Sequence, residues 1–157
     1  MSLHPAVAHL APLIGTWRGR GHGSYPTIHD FDYRDEVEFV ATPKPFLLYR
    51  QRTWIGEEPM HVETGYVRAP SPDVIEVVIA IPTGQTENGA GTCRVDDGAI
   101  HIETDAGVVC TPAAKQVDRI TRVLDCFEDD LVYDMSMTAV GQPHTHHLHS
   151  QLKRVRD

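Results

Sequence analysis

GTWRGRGHGSYPTI, residues 15–28, is the stretch that decides the fold. Trp17, Gly19, Gly21 and Gly23 alternate with Thr16, Arg18, Arg20 and His22. An extended chain here shows one face of a single bulky ring and bare backbone, and another that is polar and basic. Glycine weakens a strand through entropy and lost packing. Several on one face therefore predict that another segment, a bend or a ligand comes close. Tyr25-Pro26-Thr27-Ile28 ends the pattern. On the residues alone, the plain reading is a tightly curved barrel strand whose glycines permit the bend.

The same period continues downstream. Phe31, Tyr33, Val37 and Phe39 oppose Asp32, Arg34, Glu36 and Glu38, the mark of a half-buried strand. In FLLYRQRTWI, Leu47, Tyr49, Gln51 and Thr53 share a face. In MHVETGYVRA, Met60, Val62, Thr64 and Tyr66 oppose His61, Glu63, Gly65 and Val67. VIEVVIAI (74–81) is the most apolar run and reads as a well-buried strand. TGQTENGAGTCRV, poor in β-branched residues, reads as a bent or broken one. Asp96-Asp97-Gly98 and Glu128-Asp129-Asp130 mark turns. About ten short strands at roughly 8 to 12 residue spacing predict an all-β protein, a single antiparallel barrel spanning residues 1–157. PAVAHLAPLI, with proline at its start, predicts a short N-terminal helical turn that plugs the barrel or leads into it. Val7, Leu10 and Ala11 lie on one side of that turn, and His4 and His9 read as solvated.

The 157 residues are 41% hydrophobic and 23% charged, enough for a full core in one domain without disulfide staples. Cys93, Cys110 and Cys126 are odd in number and lack C-x-x-C spacing, which argues against a disulfide framework and for a reducing cytoplasm. The net charge of −8, with no internal Lys/Arg cluster, makes nucleic acid an improbable partner. No apolar run is long enough to span a bilayer and no signal peptide opens the chain, so no membrane association is expected.

Ten histidines are a surplus, and His144, His146, His147 and His149 crowd into one short segment. Histidine is a common ligand of iron and zinc. Regular alternation would put His147 and His149 on one face and His146 on the other, so only part of the cluster can serve one site.

Here the chain resembles the nitrobindin family, heme-binding β-barrels related in fold to fatty-acid-binding proteins and lipocalins. The resemblance rests on GTWRGRG as a G-x-W-x-G-x-G motif, then on YPTI, KPFLLY (44–49), EPMHVETGYVR (58–68) and AVGQP (139–143). GQPHTHHL (141–148) completes it, so that it covers nearly the whole chain. It implies a ten-stranded barrel with heme b in one mouth, its iron bound axially by His147. Thr27 would lie near the heme edge, while Met60 and His61 would approach the open face of the porphyrin.

The implied activity is isomerisation of peroxynitrite to nitrate at ferric heme, with nitric oxide as a further ligand. A partly solvated mouth favours the ferric state, because water stabilises the more positive iron. The oligomeric state, a homodimer included, stays open. So do two other readings of the same residues: a lipocalin-like carrier of an apolar small molecule, and a His-rich zinc or nickel site. Zinc would want three or four converging ligands.

Overall fold

Alternation of inward apolar and outward polar residues carries through the chain. In the computed structural model, which describes residues 2–156, a 3₁₀ helix at Pro5–Leu13 is followed by ten strands. They are β1 (Gly15–Tyr25), β2 (Ile28–Ala41), β3 (Phe46–Ile55), β4 (Glu58–Ser71) and β5 (Val74–Ile81), then β6 (Gln85–Asp96), β7 (Ala99–Cys110), β8 (Val117–Phe127), β9 (Asp130–Ala139) and β10 (Thr145–Arg154). Each strand pairs antiparallel with its sequence neighbours, and β1 also pairs with β10, which closes the barrel and leaves no free edge.

The helix plugs one end. Val7, Leu10 and Leu13 are fully buried, and their spacing of three matches the three-residue turn of a 3₁₀ helix. Ala11, expected on the inner side, is exposed for the same reason. His4 is not idle in solvent: its Nδ1 accepts the Ala6 amide hydrogen and caps the helix. His9 is half-buried, and its Nε2 is buried without a hydrogen-bond partner. Trp17 seals the plug. Its indole donates to the Leu13 carbonyl (2.9 Å), while the Arg154 guanidinium stacks 4.2 Å from the ring and donates to the Ile14 and Pro12 carbonyls.

The glycines of β1 answer to close approach. Gly21 stands opposite Tyr33 of β2, and Gly23 opposite Phe31, with each aromatic ring laid over the space a side chain would take. A methyl on Gly21 would overlap the Tyr33 ring, which cannot withdraw without breaking its 2.9 Å hydrogen bond to Tyr133. Gly21→Ala is therefore expected to cost about 2 kcal/mol, the usual scale of overpacking, read as a lower urea midpoint at unchanged m-value.

Two strands differ from expectation. β5 is half-buried: Ile75, Val77 and Ile79 point inward, whereas Val74 and Val78 are exposed on the outer wall. A closed barrel has one inside, so even the most apolar strand keeps a solvent face. β6 is continuous, because Asn88 and Gly89 pair fully with both β5 and β7. Ladder hydrogen bonds on both sides override weak intrinsic propensity.

Along the barrel axis the interior is layered. Next to the plug lies an apolar core that includes Val37, Phe39, Leu47, Ile75, Ile79 and Leu131. At the opposite mouth lies a second cluster of Tyr25, Val117, Ile120, Met135 and Ala139, joined by Ile81, Val108, Met137 and Leu148. Between them the wall turns polar, with Asp35, Gln51, Glu63, Glu87 and Ser150 all buried. A cavity of about 60 Å³ sits on the plug side of this polar layer, bounded by Leu13, Phe39, Ile75 and Arg122.

Candidate functional site

The mouth is shaped by two bulges on neighbouring strands. The β1–β2 register slips between Gly23 and Tyr25, and the β10–β9 register slips between His146 and Leu148, which makes His147 an extra residue without a partner on β9. A bulge adds one residue to one side of a ladder and re-aims the side chains around it. The result corrects the regular alternation. His147 turns into the mouth, packing edge-on against Tyr25 (5.5 Å between centroids) and near Phe31 (6.3 Å). His149 falls on the outer wall, because the inserted residue shifts the phase of everything after it. There His149 Nδ1 and His146 Nε2 both bond the same Asp134 oxygen, at 2.8 and 2.9 Å. His144 lies outside as well, bonded to Thr121 and Thr138.

His147 has the chemistry an iron needs. Its Nδ1 lies 2.9 Å from the Ser24 carbonyl oxygen, which can only accept, so Nδ1 carries the hydrogen and Nε2 keeps a lone pair. Burial pushes its pKa below the usual histidine value, against the raising effect of the Ser24 bond, and a proton on this ring would be disfavoured further wherever the nearby His146 or His61 is protonated. The ring is thus a neutral donor with its orientation fixed by a backbone carbonyl, the arrangement that also raises ligand basicity. Around it, Tyr25, Ile120, Met137 and Leu148 offer an apolar wall suited to a flat macrocycle. One imidazole in an apolar mouth fits a heme.

The other expected residues take separate positions. Thr27 is exposed in the Pro26-Thr27 turn between β1 and β2, at the rim on the His147 side. Met60 is 41% exposed and occupies a bulge of β4, opposite no residue of β3. His61 faces inward, on a strand four places round the barrel from β10, so the two histidines look across the mouth. His61 lines a surface pocket together with Met60 and Trp54, while His147 stands across the mouth against Tyr25 and Phe31, and Thr27 stays at the rim.

Beneath His61 lies the part that alternation alone did not flag. His61 Nε2 is 3.0 Å from Glu63 Oε2, and Glu63 is buried. Glu63 Oε1 accepts from Tyr49 Oη (2.7 Å) and Arg122 Nη1 (2.9 Å), while Arg122 grips Glu87 with Nε and Nη2 at 2.9 and 2.8 Å. Burial opposes ionisation of Glu63, but the Arg122 charge and the His61 bond outweigh it and hold the carboxyl well below the usual range. Next to this group, Asp35 accepts from Gln51, Tyr133 and Ser150 (3.0, 2.7 and 2.8 Å), and Tyr33 donates to Tyr133. The signal was present in the sequence: Asp35 falls in the inward phase of a strand whose other inward residues are apolar, and Glu63 falls in the inward phase of β4 beside His61, Gly65 and Val67.

Among the described residues, no group of three or more His, Cys, Asp or Glu side chains is arranged to hold a metal ion, and no helix is long and apolar enough to cross a membrane. Cys93, Cys110 and Cys126 are free thiols.

Comparison with known proteins places the chain among heme-binding β-barrels. Residues 6–154 match the family described as the THAP4-like, heme-binding β-barrel domain. A peroxynitrite isomerase of Nocardia farcinica is 46% identical over 98% of this chain and 94% of its own length. Peroxynitrite isomerase 1 of Mycolicibacterium paratuberculosis is likewise 46% identical, over 98% of each chain. The crystal structure of Rv2717c from M. tuberculosis superposes with a TM-score of 0.96 at 42% identity, covering 99% of this chain and 100% of that one.

Proposed function

The chain belongs to the THAP4-like heme-binding β-barrel family, the nitrobindins, and on that premise we propose that it is a ferric heme b protein that isomerises peroxynitrite to nitrate and also binds nitric oxide. The observation that carries the reading is His147: a neutral imidazole, half-buried in the apolar mouth, with Nδ1 tied to Ser24 and Nε2 left to bind iron. Bound there, heme supplies a ferric iron with one coordination position open to a small anion.

The protein's own residues set the conditions for that chemistry. His147 holds the iron from one side, and Ser24 fixes the ring through its carbonyl. Tyr25, Ile120 and Leu148 keep water from one face of the mouth. His61 stands on the opposite wall and would offer an anion held in the mouth a hydrogen-bonding partner. Thr27 and Met60 border the entrance, as contacts for the cofactor edge. The role of the iron ligand is thus assigned to His147, with Thr27, Met60 and His61 as further cofactor-binding residues of one domain, residues 1–157.

A carrier that encloses an apolar molecule in the barrel core is disfavoured by size, because the plug-side cavity of about 60 Å³ is far below the roughly 300 Å³ at which drug-sized pockets begin. A zinc or nickel site is disfavoured because His146 and His149 point away from His147, already engaged with Asp134. The free thiols support a reducing, cytoplasmic setting, and the net charge of −8 speaks against a nucleic-acid partner.

Stopped-flow decay of peroxynitrite tests the proposal. The ferric heme-loaded protein is expected to speed decay to nitrate and to protect added tyrosine from nitration, while the apoprotein does neither. Equal decay rates with and without heme would leave heme binding without catalysis.

A further inference from the structure

The buried ion pair under His61 has a consequence for that histidine's ring. His61 bonds Glu63 through Nε2, and its main-chain amide donates to Thr53 Oγ1 at 3.1 Å, so both the ring and the backbone that carries it are held. An ionised carboxylate accepts hydrogen bonds and donates none. In the neutral ring Nε2 must therefore carry the hydrogen, and Nδ1, which bonds no group among the described residues, is left as the lone-pair nitrogen.

We propose that Glu63 is the positioning residue of the mouth: anchored by Tyr49 and Arg122, it fixes His61 as the Nε2–H tautomer and makes Nδ1 a proton acceptor for the bound substrate. This rests on the isomerase reading above. The substrate class it adds is the conjugate acid, peroxynitrous acid. Conversion of that acid to nitrate must release one proton. The O–H bond breaks, the proton passes to His61 Nδ1, and the resulting imidazolium keeps its Nε2–H on Glu63 until Nδ1 returns the proton to water. No oxidant or reductant is needed. Arg122 completes the device, because its charge keeps Glu63 ionised and prevents the carboxylate from taking the ring hydrogen for itself.

The geometry makes Glu63→Gln a directed test. Tyr49 Oη and Arg122 Nη1 both donate to Oε1, so they hold the amide oxygen of the variant in that place and turn its NH₂ toward His61. The NH₂ group donates, so Nε2 must then accept, and the ring hydrogen moves to Nδ1.

Nitrogen-15 NMR of the imidazoles in the apoprotein, with His61 assigned by the signal lost in His61→Gln, is expected to show Nε2–H in the wild type and Nδ1–H in Glu63→Gln. The wild-type spectrum decides the matter even if the variant folds poorly, since an Nδ1–H tautomer there overturns the proposal. After hemin loading, Glu63→Gln is expected to slow peroxynitrite decay about tenfold, at the low end of general-base effects, with hemin affinity within about twofold of wild type. A switched tautomer with an unchanged decay rate would also overturn it. Failure of the heme reading shows separately, as a missing Soret band at one equivalent of hemin in the wild type.

Discussion

His147→Ala is expected to remove the axial imidazole, shift the Soret band and weaken hemin retention about a hundredfold. That corresponds to roughly 2.8 kcal/mol at 1.4 kcal/mol per tenfold. The apolar mouth would still hold the macrocycle loosely, so a residual, blue-shifted spectrum is the expected signature rather than none. Two controls make the result specific. His146→Ala and His149→Ala should leave the spectrum as it is, because both rings lie on the outer wall against Asp134. If His149→Ala abolished the heme spectrum while His147→Ala spared it, the bulge between His146 and Leu148 would be wrong, and with it the assignment of the ligand. The comparison is read by hemin titration at one equivalent.

Arg122→Met is expected to be the most destabilising single change in the barrel, by roughly 3–5 kcal/mol at neutral pH. Loss of one partner leaves charge buried without compensation. Arg122 binds two carboxylates at once, Glu63 and Glu87, and these are 2% and 0% exposed. Against a total stability of about 5–15 kcal/mol, that is roughly a fifth or more of what holds the fold. The effect should depend on pH with a definite sign. In the wild type, the Glu63 pKa lies below its unfolded value, so its contribution is complete above the ordinary glutamate range and is lost as the medium becomes more acidic than that. Without Arg122, burial is opposed only by the His61 and Tyr49 hydrogen bonds and outweighs them, so the pKa of the same carboxyl rises, the folded variant takes up a proton before the unfolded chain does, and it gains relative stability as pH falls. Urea unfolding of both proteins at pH 8 and pH 5 is the measurement. The gap should narrow at the lower pH, and a gap that widened would show that the Glu63–Arg122 pair is not what Arg122→Met disrupts.

The barrel was legible because its evidence is local. Strict alternation in residues 15–23 and 46–54, turn chemistry at Asp97-Gly98 and Glu128-Asp129, and the proline-started helical turn with Val7 and Leu10 on its inner side each follow from near-neighbour geometry, although Leu13 and not Ala11 completes that side. Close approach at the β1 glycines was also readable, although not what approaches: Tyr33 and Phe31 do, from the adjacent strand. Where prediction and structure part along the strands, a non-local contact is the cause. Pairing on both edges keeps β6 whole despite Asn88 and Gly89, and closure of the sheet gives β5 an outer face despite its apolar run.

The site divides along the same line. From the sequence alone came the barrel, its plugged end, its strand phases and the histidine-rich start of β10, because periodicity and turn residues act over a few positions. Only the tertiary structure decided which histidine looks inward, since one unpaired residue in a ladder reverses the face of all that follow and pairing is set by a strand elsewhere in the chain. Only it joined His61, Glu63, Tyr49, Arg122 and Glu87 into one network. Those residues come from four strands, and a buried charge reveals its partner when the fold has brought the two within hydrogen-bond distance.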